Sequence, residues 1–320
     1  MRAIQVTEHG KPEVLELVDV RTPEADEGQI VVDVTAAGVN YIDTYQRSGA
    51  YPIDTPFILG MEGAGTVREV GTGVEGISVG DRVAWKEGLG SYAETVAIEA
   101  SQAVPVPEGV ADDLAAAATL QGITAHYLVT STYPVHDGDW VVVHAAAGGV
   151  GQLLTQIVKL CGGHVLATTS TPEKAELATA AGADRVVGYA EMVAAARELT
   201  GGSGVAAVYD GVGAATFDHS LAALRIRGTM VLFGAASGPV PPVDPQRLNR
   251  GGGLYLTRPS IAHYTRDRDE LLGRTSEIFG WIADGSLKVE VGHRYPLAEA
   301  TQAHRDLEGR KTTAKVLLIP

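Results

Sequence analysis

Thiols are nearly absent from this chain: Cys161 is the one cysteine in 320 residues. That excludes an intrachain disulfide and any site built from several thiolates, and it predicts a reducing, cytoplasmic setting with an inert, buried thiol. Positive charge is also scarce, with 25 Lys and Arg against 39 Asp and Glu and a formal net charge of −14. Such a balance repels phosphate backbones and argues against nucleic acid as a partner, leaving small molecules or a second copy of the chain. No uncharged stretch approaches the ~18 apolar residues of a membrane span, so no membrane partner is expected. Met1 to Val6 soon meets Glu8, His9 and Lys11, which predicts no apolar signal region.

What is present is enough apolar residue, 45% of the chain, for two globular units. The first 120 or so residues read as short β-branched runs, such as Ile30 to Val34 and Gly65 to Val70, separated by turns. From Leu114 an Ala-rich, helix-favouring stretch runs to Thr119, and Gly122 is the expected boundary. Beyond it, strands and helices alternate. Trp140 to His144, His164 to Thr168, Asp184 to Val187, Ala206 to Asp210 and Thr229 to Phe233 read as strands, with helices between them, including segments at 191–199 and 216–224. That rhythm predicts a doubly wound parallel sheet covered on both faces. A helix is expected after Asp267. The final run, Lys315 to Ile319, needs a sheet to join and would make the first domain discontinuous. The expected domains are therefore 1–122, 123–263 and a return over 264–320.

His144-Ala145-Ala146-Ala147-Gly148-Gly149-Val150-Gly151 stands between a strand and a helix, the context a dinucleotide fingerprint requires. Ala146 replaces the first fingerprint glycine, while Gly148 and Gly151 keep the later spacing. At the end of the next strand, where an NAD site usually carries an acid, the chain has Thr168-Thr169-Ser170-Thr171 followed by Lys174. Hydroxyls plus a cation suit the 2′-phosphate of NADPH, with Glu173 a competing anion; a decorative Lys174 on a helix turn stays an alternative. His126, His144 and His263 read as isolated, packed or surface residues.

Taken together, the chain resembles the quinone oxidoreductase, or zeta-crystallin-like, branch of the medium-chain dehydrogenase/reductase superfamily. The resemblance rests on Gly10 to Leu15, Gly38-Val39-Asn40-Tyr41-Ile42-Asp43-Thr44-Tyr45, Gly49 to Pro52, Gly80 to Val83, the glycine turn, Tyr255 to Ser260 and Leu317 to Pro320. It implies a GroES-like β domain, a Rossmann domain, a cleft between them and NADPH-dependent reduction of quinones. By the same resemblance, Tyr41, Ile42, Asp43, Thr44 and Tyr45 line the nicotinamide end, and Tyr127, Gly148, Gly149, Val150 and Gly151 meet ribose and pyrophosphate. Ser170, Lys174, Tyr189 and Arg310 surround the 2′-phosphate; Phe233, Gly234, Ala235, Leu256, Thr257 and Arg258 pass the nicotinamide and its linker, and Thr124, Thr171 and Gly211 complete the expected cofactor-binding set. Zinc-dependent relatives carry Cys where Asn40 stands and His where Met61 stands, so no metal is expected here.

A quinone is already electrophilic, so positioning and exclusion of water can carry much of the rate. Asn40, Asp43, Tyr45 and Tyr51 are the candidate catalytic residues, with Asn40, Tyr45 or Tyr51 as donors to a developing oxyanion. Alternative roles are a backbone bond for Asn40, a helix cap for Asp43 and loop shaping for Tyr51. The rival functions are NADPH-dependent reduction of an enone or alkenal double bond, and a non-catalytic NADPH-binding or RNA-associated role, against which the net charge weighs. The strands Thr229 to Phe233 and Gly253 to Leu256 read as open sheet edges, which predicts a homodimer.

Overall fold

The computed structural model describes residues 1–320 and divides into two compact units, residues 1–121 with 267–320, and residues 122–266. The first unit opens with β1 (Arg2–Val6), β2 (Leu15–Asp19), β3 (Gln29–Val39), α1 (Tyr41–Ser48), β4 (Phe57–Ile58), β5 (Glu62–Val70), β6 (Arg82–Trp85), β7 (Thr95–Glu99) and β8 (Val104–Pro105). The long strand β3 is buried along most of its length and pairs antiparallel with both β5 and β7, which makes it the spine of this unit. Ile30, Val32, Val39, Leu59, Trp85 and Leu318 meet in its core.

The boundary falls inside a helix. Gly122 does not break the chain: α2 (Asp112–Tyr127) runs through it without interruption, because the flanking Ala-rich turns are buried and tertiary packing outweighs one glycine. The second unit then alternates β9 (Trp140–Val143), α3 (Gly149–Leu160), β10 (His164–Thr168), α4 (Pro172–Ala180), β11 (Arg185–Val187), α5 (Met192–Leu199), β12 (Val205–Asp210), α6 (Phe217–Ala223), β13 (Leu224–Leu232), α7 (Gln246–Arg250) and β14 (Tyr255–Thr257). Its six strands are parallel in the order β11-β10-β9-β12-β13-β14, the Rossmann order, with the topological switch between β9 and β12. The edge assignment needs correction. Thr229 to Leu232 lie in β13, which is paired on both sides; only β14 is an edge there, since Tyr255 to Thr257 pair with Thr229 to Val231.

The chain returns to the first unit through α8 (Arg268–Ala283), whose N-cap Asp267 accepts from the Glu270 amide, followed by β15 (Val291–Pro296), α9 (Ala300–Glu308) and β16 (Lys315–Ile319). β16 pairs antiparallel with β3, so the terminal apolar run finds its sheet beside the first strands of the chain. Cys161 caps the end of α3 and is half-buried, not fully enclosed as expected, because the helix ends there at the surface. No helix is long and apolar enough to cross a membrane.

Candidate active site

In the Rossmann unit, the carboxyl ends of the strands gather the glycine turn, residues 168–171, Gly211 and residues 233–235 around the switch point, where open parallel sheets bind ligands. The turn is tight. Ala145 takes a left-handed φ of 50°, a conformation usually left to glycine, and Gly148 donates to its carbonyl at 2.9 Å. Gly151 is required by close approach: a Cβ there would lie 2.5 Å from the Ala145 oxygen and 2.7 Å from the Ala146 Cα. Gly148 caps α3 without a side chain, so the first amides of the helix, including Gly149 and Val150, stand where a pyrophosphate fits.

Thr171 is the N-cap of α4 and accepts from the Lys174 amide, with Pro172 as first helical residue. Glu173, the competing anion, turns toward this cap: its carboxyl is held below the usual range by its own backbone amide and then by the Thr171 hydroxyl. Ser170 and Thr171 line a surface hollow with Arg185, Gly188 and Glu191. Phe233 and Gly234 lie against Gly211, where an added Cβ would press on the Phe233 ring at 2.9 Å. Thr124 and Tyr127 are buried on α2, and Tyr127 stacks on Tyr264 at 4.3 Å. Leu256 and Thr257 belong to edge strand β14, followed by Arg258.

His144, read as isolated, is not. It sits 2% exposed just after β9, with Nδ1 2.8 Å from the Thr168 hydroxyl and Nε2 2.9 Å from that of Ser220. Ser220 donates in turn to Asp210, which also accepts from Thr216 and from the amides of Val212 and Gly213. Burial lowers the His144 pKa, keeping the ring neutral. This network was invisible in sequence because its members come from the ends of β9, β10 and β12 and from α6, joined only by sheet pairing.

The first unit holds the residues expected near the reacting groups, together with Arg310, which follows α9 with a φ of 57°. Asn40 carries a correction: it has no amide hydrogen to spare for an oxyanion. Its Nδ2 donates to Glu62 at 2.9 Å and to the Gly38 carbonyl at 3.2 Å, while its Oδ1 accepts from Lys315 at 2.8 Å. Lys315 and Glu62 form a fully buried ion pair at 2.5 Å, and the Leu120 amide donates to the other Glu62 oxygen. Gly38 leaves them room, since a Cβ there would strike the Glu62 carboxylate and lie 2.8 Å from the Lys315 ammonium.

Asp43 is also fully buried, so it does not face solvent or a ligand as a surface group would. Its Oδ2 accepts from the Asn40 amide and the Tyr92 hydroxyl, both at 2.8 Å, while Oδ1 has no partner. Burial pushes its pKa up to about 7 against the pull of those donors. Behind Tyr92 lies His304, pushed down to about 3 by burial and by Arg47, whose guanidinium grips Glu308. Tyr41 donates to the Leu307 carbonyl; Thr44 bonds back to Tyr41. Tyr45 packs between Tyr41 and Tyr51, 5.3 Å from the Tyr51 ring, and Tyr51 is 47% exposed. Ile42 is half-buried on the same helix. Glu62, Lys315, Tyr92, His304 and Arg47 went unpredicted; a lysine heading an otherwise apolar strand was the available signal.

Residues 26–108 match the alcohol dehydrogenase GroES-like domain, and residues 149–268 match the zinc-binding dehydrogenase family. The latter description names zinc, whereas no group of three or more His, Cys, Asp or Glu here is placed to hold a metal ion. A quinone oxidoreductase of Salmonella typhimurium is 44% identical over 99% of both chains, and a 2-haloacrylate reductase of a Burkholderia species is 36% identical over 99% of this chain and 98% of its own. Two solved structures superpose over 100% of both chains with a TM-score of 0.98: a mycobacterial protein complexed with NADPH, 53% identical, and the Escherichia coli quinone oxidoreductase complexed with NADPH, 42% identical. A GroES-like unit and a Rossmann unit, matched along their whole length by these proteins, make this chain a member of the quinone oxidoreductase family of the medium-chain dehydrogenases and reductases.

Proposed function

We infer that this chain is an NADPH-dependent quinone reductase that works with side chains and no metal. The observation that carries this reading is the full-length match to two NADPH-complexed proteins, one a quinone oxidoreductase, joined to a glycine turn whose free amides stand at a Rossmann switch point. NADPH supplies the reducing equivalents. Gly148 to Gly151 hold the pyrophosphate, with Thr124 and Tyr127 toward the ribose. Ser170, Thr171, Lys174, Tyr189 and Arg310 select the 2′-phosphate. Gly211, Phe233 to Ala235 and Leu256 to Arg258 guide the nicotinamide and its linker, and Tyr41 to Tyr45 form the end where the acceptor lies. Tyr45 and Tyr51 donate to a developing oxyanion, while Asn40 is committed to Glu62 and Lys315. Asn40 and Asp43 act by holding α1 in place.

The protein works in the cytoplasm as a homodimer, with the open edge of β14 as the pairing surface. The test is NADPH oxidation with a simple 1,4-quinone, followed by absorbance. Steady turnover supports the reading, and tight NADPH binding with no turnover of any acceptor sinks it in favour of a binding protein. A second reading, reduction of an activated carbon–carbon double bond, is favoured by the 2-haloacrylate reductase relative. Side-by-side kcat/KM for a quinone and a 2-haloacrylate separates the two.

A further inference from the structure

Burial puts His144 out of reach of any ligand, yet its ring touches two parts of the nucleotide end at once. One face lies almost parallel to Tyr189, at 17° with centroids 5.6 Å apart, an offset stack. The ring edge joins the hydroxyl chain described above. Because the Ser220 hydrogen goes to Asp210, Ser220 accepts from Nε2–H; Nδ1 is then the acceptor for the Thr168 hydroxyl. The tautomer is thereby set, and the ends of β10 and β12 are tied through one imidazole. The backbone around Tyr189 is held separately: the Thr169 amide donates to Val187, and the Gly188 amide to Glu191. His144 therefore bears on the direction of the Tyr189 ring, beyond the course of the loop.

We propose that His144 is a positioning residue for cofactor selection: its stacked face aims Tyr189 at the 2′-phosphate, while its two nitrogens lock the strand ends that both NADPH and NADH require. The proposal rests on the reading that Tyr189 belongs to the 2′-phosphate group. It divides the imidazole into two separable duties. Loss of the ring face weakens NADPH alone; loss of the nitrogens weakens both cofactors.

Dissociation constants for NADPH and NADH, measured by quenching of intrinsic fluorescence, test it on the full-length protein. His144→Gln keeps a donor and an acceptor but removes the aromatic face. It should raise the NADPH constant about 3- to 10-fold and leave NADH within about 2-fold, the range of one aromatic contact. His144→Phe keeps the face and removes the nitrogens, so both constants should rise together with their ratio unchanged. A ratio unmoved by His144→Gln, or both constants rising equally in that variant, overturns the positioning role. Tyr189→Ala is the control for the underlying reading: if it fails to lower the NADPH preference, Tyr189 is not at the 2′-phosphate and the proposal falls with it. If Tyr189→Ala lowers the preference and His144→Gln does not, the positioning step alone is wrong.

Discussion

Each unit buries a polar cluster near its candidate functional residues, and the two clusters are built on different terms. In the GroES-like unit the cluster is ionic: Lys315 and Glu62 face each other in the core, with Asn40 across both, and Arg47 reaches Glu308 a short way off. In the Rossmann unit one carboxyl, Asp210, is surrounded by hydroxyls and amides, with a neutral histidine behind them. An ion pair in a dry interior depends on both partners, since removing one strands the other charge. A carboxyl served by several neutral donors loses stability in smaller steps as donors are removed. The first arrangement makes α1 and β16 interdependent; the second suits strand ends that must hold a flexible ligand.

The sharpest way to break this contrast is Lys315→Met, which leaves the Glu62 carboxylate buried and unpaired. A loss of about 3–5 kcal/mol is expected from denaturant unfolding, with most of it recovered in the double variant Lys315→Met, Glu62→Gln. Equal losses in single and double variants would show that the pair is not coupled.

The next effect is a pH dependence. Asp43 has its pKa raised from 3.8 to about 7, so the folded state binds its proton more tightly than the unfolded chain does. Its stabilising contribution is full below about pH 4 and is lost as pH rises toward about 7, a change of up to about 4 kcal/mol. Unfolding curves of the native protein and of Asp43→Asn, compared from pH 4 to 8, should diverge over that window. Parallel curves would place Asp43 as an ordinary carboxylate.

At the cofactor the effects are smaller and fall on binding. Lys174→Ala in the Rossmann unit and Arg310→Ala in the GroES-like unit are each expected to cost about 1–2 kcal/mol in NADPH affinity, roughly 5- to 30-fold, with NADH almost unchanged. Calorimetric titration with both cofactors decides it; equal weakening of the two, or none, makes these residues ordinary surface cations. The smallest expected effect is none at all: chelation should leave quinone turnover untouched, and metal analysis should find no stoichiometric zinc. About one zinc per chain, lost together with activity, would contradict the metal-free reading.

Local rules carried far in this chain. Strand and helix alternation after residue 140 and a helix beginning after Asp267 follow from short-range patterns and side chains meeting their own backbone within a few residues, and the folded chain agrees. The glycine turn and its place between β9 and α3 were legible for the same reason, as was the family, whose motifs run the length of the sequence. What tertiary structure alone decided was the fate of buried polar atoms. Asn40 could be assigned a free amide until Glu62 and Lys315 arrived from positions 62 and 315, and His144 looked solitary until Thr168 and Ser220 reached it. The same holds for edges: β13 and β14 read alike along the chain, and only strand order makes one interior and the other open. A buried group must find its partner wherever the fold supplies one, and a partner hundreds of residues away leaves no periodicity to read.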